Sequence, residues 1–387
     1  MGVMAKVGKR IADMGFNASG GVINWFPGHM AAATRAIRDR LKIADLVIEV
    51  RDSRIPLSSA NKDLQSVLSS KRRVIALNKK DLANPNIMHH WVRHFDSCKQ
   101  DCLPISAHSK SSVTQLLALA ELKLKEVICR EPTLLVIVVG VPNVGKSALI
   151  NSIHQIATSR FPVQEKIKRA VVGPLPGVTQ DIAGYKIANR PSIYVLDTPG
   201  VLMPSIPDIE TGLKLALTGA VKDSVVGEER LAQYLLAVLN TRKTPLHWER
   251  LVRSDNYQRE GPASVPDEEN ENIFKDSSWK RRRGLNQSDV LYIEDVVKEV
   301  QRTLYVTFKE FQGNLEEENE LESLIDTQLA ALRKSFRIPH KASDEARTMV
   351  SKKLITLFRM GKLGLFILDN LPNASQYVRC HSNEQKC

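Results

Sequence analysis

Two short motifs stand in reversed order, and that order restricts the fold more than any other feature of the chain. Asn78-Lys79-Lys80-Asp81 comes first, and Gly140-Val141-Pro142-Asn143-Val144-Gly145-Lys146-Ser147 follows about sixty residues later. The second is a complete G-x-x-x-x-G-K-S phosphate loop. The first has the N-K-x-D form of a base-reading element. In nucleotide-binding domains that carry both, the phosphate loop ordinarily precedes the base reader. Reversing them means entering the same parallel sheet at a different strand. The expected fold is therefore α/β: a doubly wound P-loop domain, circularly permuted.

Each motif sits where such a sheet would place it. Leu134 to Val139 is a continuous apolar run ending at Gly140, as expected of a parallel strand buried on both faces. Glycines at 140 and 145 let backbone N–H groups curl around phosphate oxygens, and a helix opening near Lys146 adds its dipole. The candidate phosphate-contacting residues are Asn143, Val144, Gly145, Lys146, Ser147 and Ala148. Lys146 would supply charge to the outer phosphates, and Ser147 a hydroxyl to Mg²⁺. Val74 to Leu77 is a second apolar strand, and it delivers the N-K-K-D element. The carboxylate of Asp81 suits guanine, because it can accept from both N1–H and the exocyclic amino group. Adenine has no such donor pair, so a buried Asp81 would be left unpaired by ATP, and sites of that kind discriminate by about 10⁴-fold or more. The Asn78 amide suits the N7 edge of the base, the Lys79 stem can cover its plane, and Lys80 completes the motif.

Further elements belong to the same set. Leu103-Pro104-Ile105-Ser106-Ala107 resembles the last guanine-contacting loop of GTPases, with Ser106 and Ala107 as candidates and His108 where a Lys is usual. An apolar strand, Ile193 to Leu196, delivers Asp197-Thr198-Pro199-Gly200. Asp197 suits Mg²⁺ through water, and Gly200 lets its N–H approach the γ-phosphate. Pro176-Gly177-Val178-Thr179 resembles the first switch, whose Thr reaches Mg²⁺ in the GTP state. Thr179 and Lys146 are thus catalytic candidates, and Ser147, Thr179 and Asp197 are the metal candidates. Many GTPases place a Gln directly after the Asp-x-x-Gly. Here Val201 stands there, and an apolar side chain cannot orient water by hydrogen bonding. Slow intrinsic hydrolysis is expected, with Val201 gating water rather than polarising it. An amide at Asn143 suits a K⁺ ion beside the phosphates, and equally suits a loop residue that satisfies backbone groups.

Composition narrows the class. A chain of 387 residues has room for two or three domains. Net charge +12 and pI near 9.4 favour polyanionic partners. The five cysteines are an odd number, and Cys98 and Cys102 lack a second pair, which argues for reduced thiols and against a zinc site or a disulfide scaffold. No apolar run has the roughly 18–20 residues needed to span a membrane. Residues 1–22 fit either a short basic mitochondrial presequence or a plain N-terminal helix. The permuted domain is expected over 23–252 and a polar, disordered linker or insertion over 253–288. An all-helical domain over 289–370 and a flexible tail over 371–387 complete the organisation. Apolar residues at 346, 349, 350, 354, 357 and 358 carry the helical period of the last helix.

Three phrases together resemble a known family. Asn24-Trp25-Phe26-Pro27-Gly28-His29-Met30 is similar to the W-F-P-G-H-M motif of the circularly permuted ribosome-assembly GTPases. Arg51-Asp52-Ser53-Arg54-Ile55-Pro56 is similar to their D-A-R-x-P motif, with Ser53 in place of Ala. Phe358-Arg359-Met360-Gly361-Lys362-Leu363-Gly364 is similar to the F-R-x-G-K-L-G phrase of their C-terminal helical domain. Within that family the chain resembles most the plant mitochondrial DAR GTPases, which are related to the bacterial GTPase that matures the large ribosomal subunit. The resemblance implies a GTPase that binds GTP and GDP and acts on the large subunit and its rRNA in the mitochondrial matrix. It implies stimulation by the ribosomal particle and by K⁺, a role for His29 in hydrolysis, and rRNA contact through the C-terminal helices. A basic face with Arg347, Lys352, Lys353, Arg359 and Lys362 is the candidate surface. A peripheral contact with the inner-membrane surface is a further expectation. The alternative is a GTP-dependent RNA-binding or signalling switch with negligible turnover, in plastid or cytosol.

Overall fold

The structure, a computed structural model, describes residues 29–160, 183–189, 192–202, 206, 208–252, 287–339 and 343–372. The N-terminal helix or presequence, Asn24 to Gly28 of the first motif, the first switch with Thr179, the 253–286 stretch and the tail beyond 372 lie outside the described residues. So does the side chain of His29, which opens the first described helix.

Six strands form one sheet: β1 Leu46–Asp52, β2 Arg73–Asn78, β3 Cys102–Pro104, β4 Thr133–Val139, β5 Ala183–Asn189 and β6 Ser192–Asp197. Their order is β3-β2-β1-β4-β6-β5. All neighbours are parallel except β5, which runs antiparallel to β6 at the edge. From β1 the chain steps outward to β2 and β3, then crosses back to β4 and continues toward β6. The strand order therefore reverses between β1 and β4, which are direct neighbours. In open α/β sheets ligands bind at such a switch point, beyond the carboxyl ends of the strands. The R-D-S-R-I-P segment leaves β1 there, and the phosphate loop leaves β4.

Helices cover both faces. These are α1 His29–Ile43, α2 Lys62–Leu68, α3 Pro85–Ser97, α4 Lys110–Ile128 and α5 Lys146–Arg160. The β1 to β2 and β2 to β3 crossovers run in one direction and the later ones in the other, so right-handed connections put α2 and α3 on one face and α4 and α5 on the opposite face. The side-chain register agrees. Val47, Ile137 and Val139 pack with Ile37 and Leu41 of α1 and Leu64 and Leu68 of α2. Ile75 and Leu77 pack with Met88, Trp91 and Phe95 of α3. The alternate residues Ile48, Val50, Val74, Ala76, Val136 and Val138 are also buried, as a doubly covered sheet requires. Local signals fix the helix starts: Asn84 caps α3 through Asn86 N–H with Pro85 in the first turn, and Asn61 caps α2 through Asp63 N–H. Two shorter helices follow β6, α6 Ile209–Leu217 and α7 Asp223–Val226.

A second compact unit runs from Glu228 to Leu363, while the segment from Gly364 onward goes with the sheet. The second unit is helical, with α8 Glu228–Thr241, α9 Gln287–Glu310, α10 Glu318–Ser335 and α11 Ser343–Arg359. Composition alone sets the boundary at 252, but α8 packs on α11 and α10, so by compactness it belongs with the later helices. Asn240 and Gln328 exchange a pair of amide hydrogen bonds at 2.8 and 2.9 Å in the interior of this unit. No helix among the described residues is long and apolar enough to cross a membrane.

The position of Val201 corrects one expectation. Its side chain is fully buried in the cluster formed by α1, α2, β1 and β4, and its carbonyl accepts from Asn61 Nδ2 at 3.2 Å. It is a core residue and cannot gate water at the phosphates. Val201→Ala should therefore lower folding stability by about 1–3 kcal/mol through the cavity it leaves. Urea denaturation checks this, and a variant as stable as the parent would contradict the packing.

Candidate functional site

Close backbone approach dictates the glycines of the phosphate loop. Gly140 has φ +153°, and the carbonyl oxygen of Val50 on β1 occupies the space that a Cβ would need. Gly145 has φ +96°, with Asn78 Nδ2 in the corresponding place. Asn143, between them, is left-handed at φ 57°. Lys146 Nζ donates to the carbonyls of Gly140 at 3.1 Å and Val141 at 3.0 Å. Its burial lowers its pKa to about 8, against the pull of nearby Asp197. Ala148 lies half-buried in the first turn of α5.

The two described metal candidates meet. Ser147 Oγ donates to Asp197 Oδ2 at 2.8 Å. The second carboxylate oxygen, Asp197 Oδ1, is buried and has no hydrogen-bond partner among the described residues, and burial raises the pKa of the group. A hydroxyl beside an unpartnered carboxylate oxygen is a hard-oxygen donor set that fits Mg²⁺. Held by Ser147 and Asp197, that ion would neutralise charge on the outer phosphates. Thr198 Oγ1 donates to Val138 O at 2.7 Å and pins the D-T-P-G segment to β4. A Cβ on Gly200 would collide with the backbone of Pro142, so this segment lies directly against the phosphate loop.

The base reader is tied to the same loop. Asn78 Nδ2 donates to Val144 O at 2.7 Å, and Asn78 Oδ1 accepts from Ala107 N–H at 2.8 Å. The amide expected to face the base edge is thus first a link between two loops, with its second N–H left for the base. Lys80 N–H donates to Ile105 O at 3.0 Å, which sets half-buried Ser106 and buried Ala107 beside the motif. Lys79 is left-handed at φ 61°. Its Nζ donates to Asn143 O at 2.6 Å and to Asp52 Oδ2 at 2.8 Å. The Lys79 stem therefore bridges from the N-K-K-D turn to the phosphate loop. Asp81, on the 3-10 turn Lys80–Leu82, is exposed, as is Lys80. From the sequence a buried Asp81 is expected; the carboxylate is exposed, so for Asp81 to read guanine the base itself would have to cover it. Asn143 Nδ2 donates to Gly219 O at 2.8 Å.

Two ion clusters are built on β1. Arg54 binds Asp52 through Nε at 3.0 Å and a terminal nitrogen at 2.8 Å. Burial alone would raise the Asp52 pKa, but the Arg54 and Lys79 cations hold its carboxyl well below the usual carboxylate range. Glu49 joins Arg51 at 2.8 Å and Arg73 at 3.2 Å. Charged residues at the end of an otherwise apolar strand are the one sequence signal of this arrangement. Ser53 Oγ is buried without a partner among the described residues, and nothing in the structure explains the hydroxyl there.

Comparison with known proteins gives the same class. A family profile described as 50S ribosome-binding GTPase matches residues 135–260. The chain is 69% identical over 363 residues to "Short integuments 2, mitochondrial" of Arabidopsis thaliana, covering 94% of this chain and 93% of that protein. It is 38% identical over 372 residues to "DAR GTPase 2, mitochondrial" of the same plant, covering 95% and 96%. It is 36% identical over 224 residues to "Ribosome biogenesis GTPase A" of Bacillus pumilus, covering 56% of this chain and 75% of that one.

The base-reading geometry leads to a specificity test. Asp81→Asn should weaken GTP binding by about a hundredfold and favour xanthosine triphosphate, whose extra carbonyl accepts from the new amide. Titration of both nucleotides checks this, and unchanged GTP affinity would remove Asp81 from base recognition.

Proposed function

The chain belongs to the circularly permuted ribosome-biogenesis GTPases, and from that membership we propose that it is an assembly factor for the large subunit of the mitochondrial ribosome, switched on by the pre-ribosomal particle. GTP hydrolysis is its activity. Relatives that share nearly its whole length carry a mitochondrial name, so it is a mitochondrial protein, and the matrix is the finer part of the proposal. The matching family profile is described as 50S-binding and the bacterial relative as acting in ribosome biogenesis, which supports the large subunit as the partner.

One observation carries the activation step. The residue after Gly200 is buried in a hydrophobic core, so it offers no polar side chain to the attacking water. The missing group must come from elsewhere in the chain or from the partner. His29 is the proposed source within the chain, brought up with the first switch around Thr179 when the particle binds. A K⁺ ion held by the amide oxygen of Asn143 would offset charge developing on the phosphates.

rRNA contact through the helical unit is also proposed, on a narrower base than charge counting suggests. Arg347 is bound to Asp326 at 2.7 Å and to Glu229 at 3.4 Å. Lys352 lies 3.4 Å from Glu228, and Lys353 donates to Phe336 O at 3.3 Å. RNA phosphates would have to compete with these pairs, and any binding should weaken as salt rises.

Single-turnover hydrolysis with and without large-subunit particles, in potassium and in sodium, tests the proposal. The free protein should turn over slowly, particles should accelerate it by at least about a hundredfold, and potassium should be required for the full effect. His29→Ala should keep GTP affinity and lose the acceleration. Particles without effect would leave the switch reading in place of the assembly GTPase. Full stimulation of the His29 variant would exclude that residue, and indifference to potassium would discard the cation role of Asn143.

A further inference from the structure

The segment that follows the helical unit ends on a single buried carboxylate. Gly364, at φ +115°, turns the chain after α11 in a conformation that glycine adopts without strain. Asp369 then sits with its side chain only 4% exposed. Its Oδ2 accepts from the N–H groups of Leu57 and Ser58, each at 2.8 Å. Its Oδ1 accepts from Ser58 Oγ at 2.6 Å and lies 3.3 Å from Lys214 Nζ. Next to it, Leu368 N–H donates to Arg54 O at 2.7 Å.

Two routes lead from this carboxylate to the phosphate loop. The first passes through the loop after β1, where Arg54 grips Asp52, Asp52 binds Lys79, and Lys79 donates to Asn143 O. The second passes through Lys214 of α6, which also pairs with Glu210 at 2.8 Å. The turn that closes α6 presents Gly219 O to Asn143 Nδ2. Both routes end on Asn143, whose backbone is left-handed. Lys79, on the first route, is in the same backbone region.

We propose that Asp369 is a positioning residue of the nucleotide site, fixing the loop after β1 and helix α6 so that Lys79 and Asn143 keep the geometry that covers guanine and holds the phosphate loop closed. The proposal rests on assigning the N-K-K-D and phosphate-loop motifs to guanine nucleotide. Its physical basis is the cost of undoing the hub. Without the carboxylate, two backbone N–H groups and the Ser58 hydroxyl lose their acceptor, and buried Lys214 loses an acidic neighbour. The loop relaxes, Arg54 and Asp52 move with it, and Lys79 loses the partner that aligns it. Removing the chain from residue 340 onward would take away Asp369 together with α11. Such a truncation should impair nucleotide binding as well as any binding by the helices.

Release of N-methylanthraniloyl-GDP from the full-length protein, followed by stopped flow, tests this. Asp369→Ala should speed release about tenfold. Asp369→Asn keeps an acceptor for Leu57 and Ser58 and should fall between the two. In a Lys79→Ala background, Asp369→Ala should add a clearly smaller factor, because one of its two routes is already cut. A merely structural role would give the same factor in both backgrounds, and that result, or parental release from Asp369→Ala, overturns the proposal. Should Asp369→Ala fail to fold by circular dichroism, parental release from Asp369→Asn overturns it instead, and faster release upholds it. A parent that holds the GDP probe no better than its ADP counterpart would fault the guanine assignment and not the hub.

Discussion

The side-chain amide of Asn78 is the contact on which the nucleotide site depends. Its nitrogen holds the phosphate loop through Val144 O, and its oxygen holds the Ser106–Ala107 loop through Ala107 N–H. Three segments that leave three different strands are joined by one buried group. Each such bond contributes only about 1 kcal/mol net, yet leaving a buried partner unpaired costs about 1–3 kcal/mol, so the loops are locked more firmly than the bond count suggests. The same amide explains why the reversed motif order is tolerated. The link is made in space between β2 and β4, and it does not matter which strand the chain visits first.

Charge is also buried along β1 and beside it. Asp52, Arg54 and Lys79 form one group, and Glu49, Arg51 and Arg73 another. Buried ion pairs seldom add net stability over apolar packing, because desolvation offsets the attraction. Their value here is geometric. Apolar substitutes could fill the same volume, but they could not hold Lys79 against a carbonyl of the phosphate loop. The end of β1 thus trades ordinary core packing for alignment of the base reader.

Much of this was legible in the sequence, because each legible part has a local signature. The three apolar runs became β2, β4 and β6, and the glycines of the phosphate loop are required by approaches that admit no Cβ. Ser147 and Asp197, two metal candidates of the sequence, stand 2.8 Å apart, and the cation itself remains a proposal. Other parts have no local signature. Hydrophobicity identified Val201 as unable to orient water, but only the packing of α1 and α2 shows that it faces away from the site. Composition counted the cations of α11 without revealing that Arg347 is already paired with acids on α8 and α10. Asp369 meets Leu57 across 312 residues, and no period or spacing encodes such a pair. The edge strand β5 escaped notice for a similar reason, since its partner and not its own pattern makes it a strand.

The central claim is that motifs in reversed order assemble one guanine-selective, Mg²⁺-dependent site. Isothermal titration of the parent protein with GTP and with ATP, each with and without Mg²⁺, tests it most directly. GTP should bind at least about 10⁴-fold more tightly than ATP, and removing Mg²⁺ should weaken GTP binding. Equal affinity for the two nucleotides, or GTP binding indifferent to Mg²⁺, would contradict it.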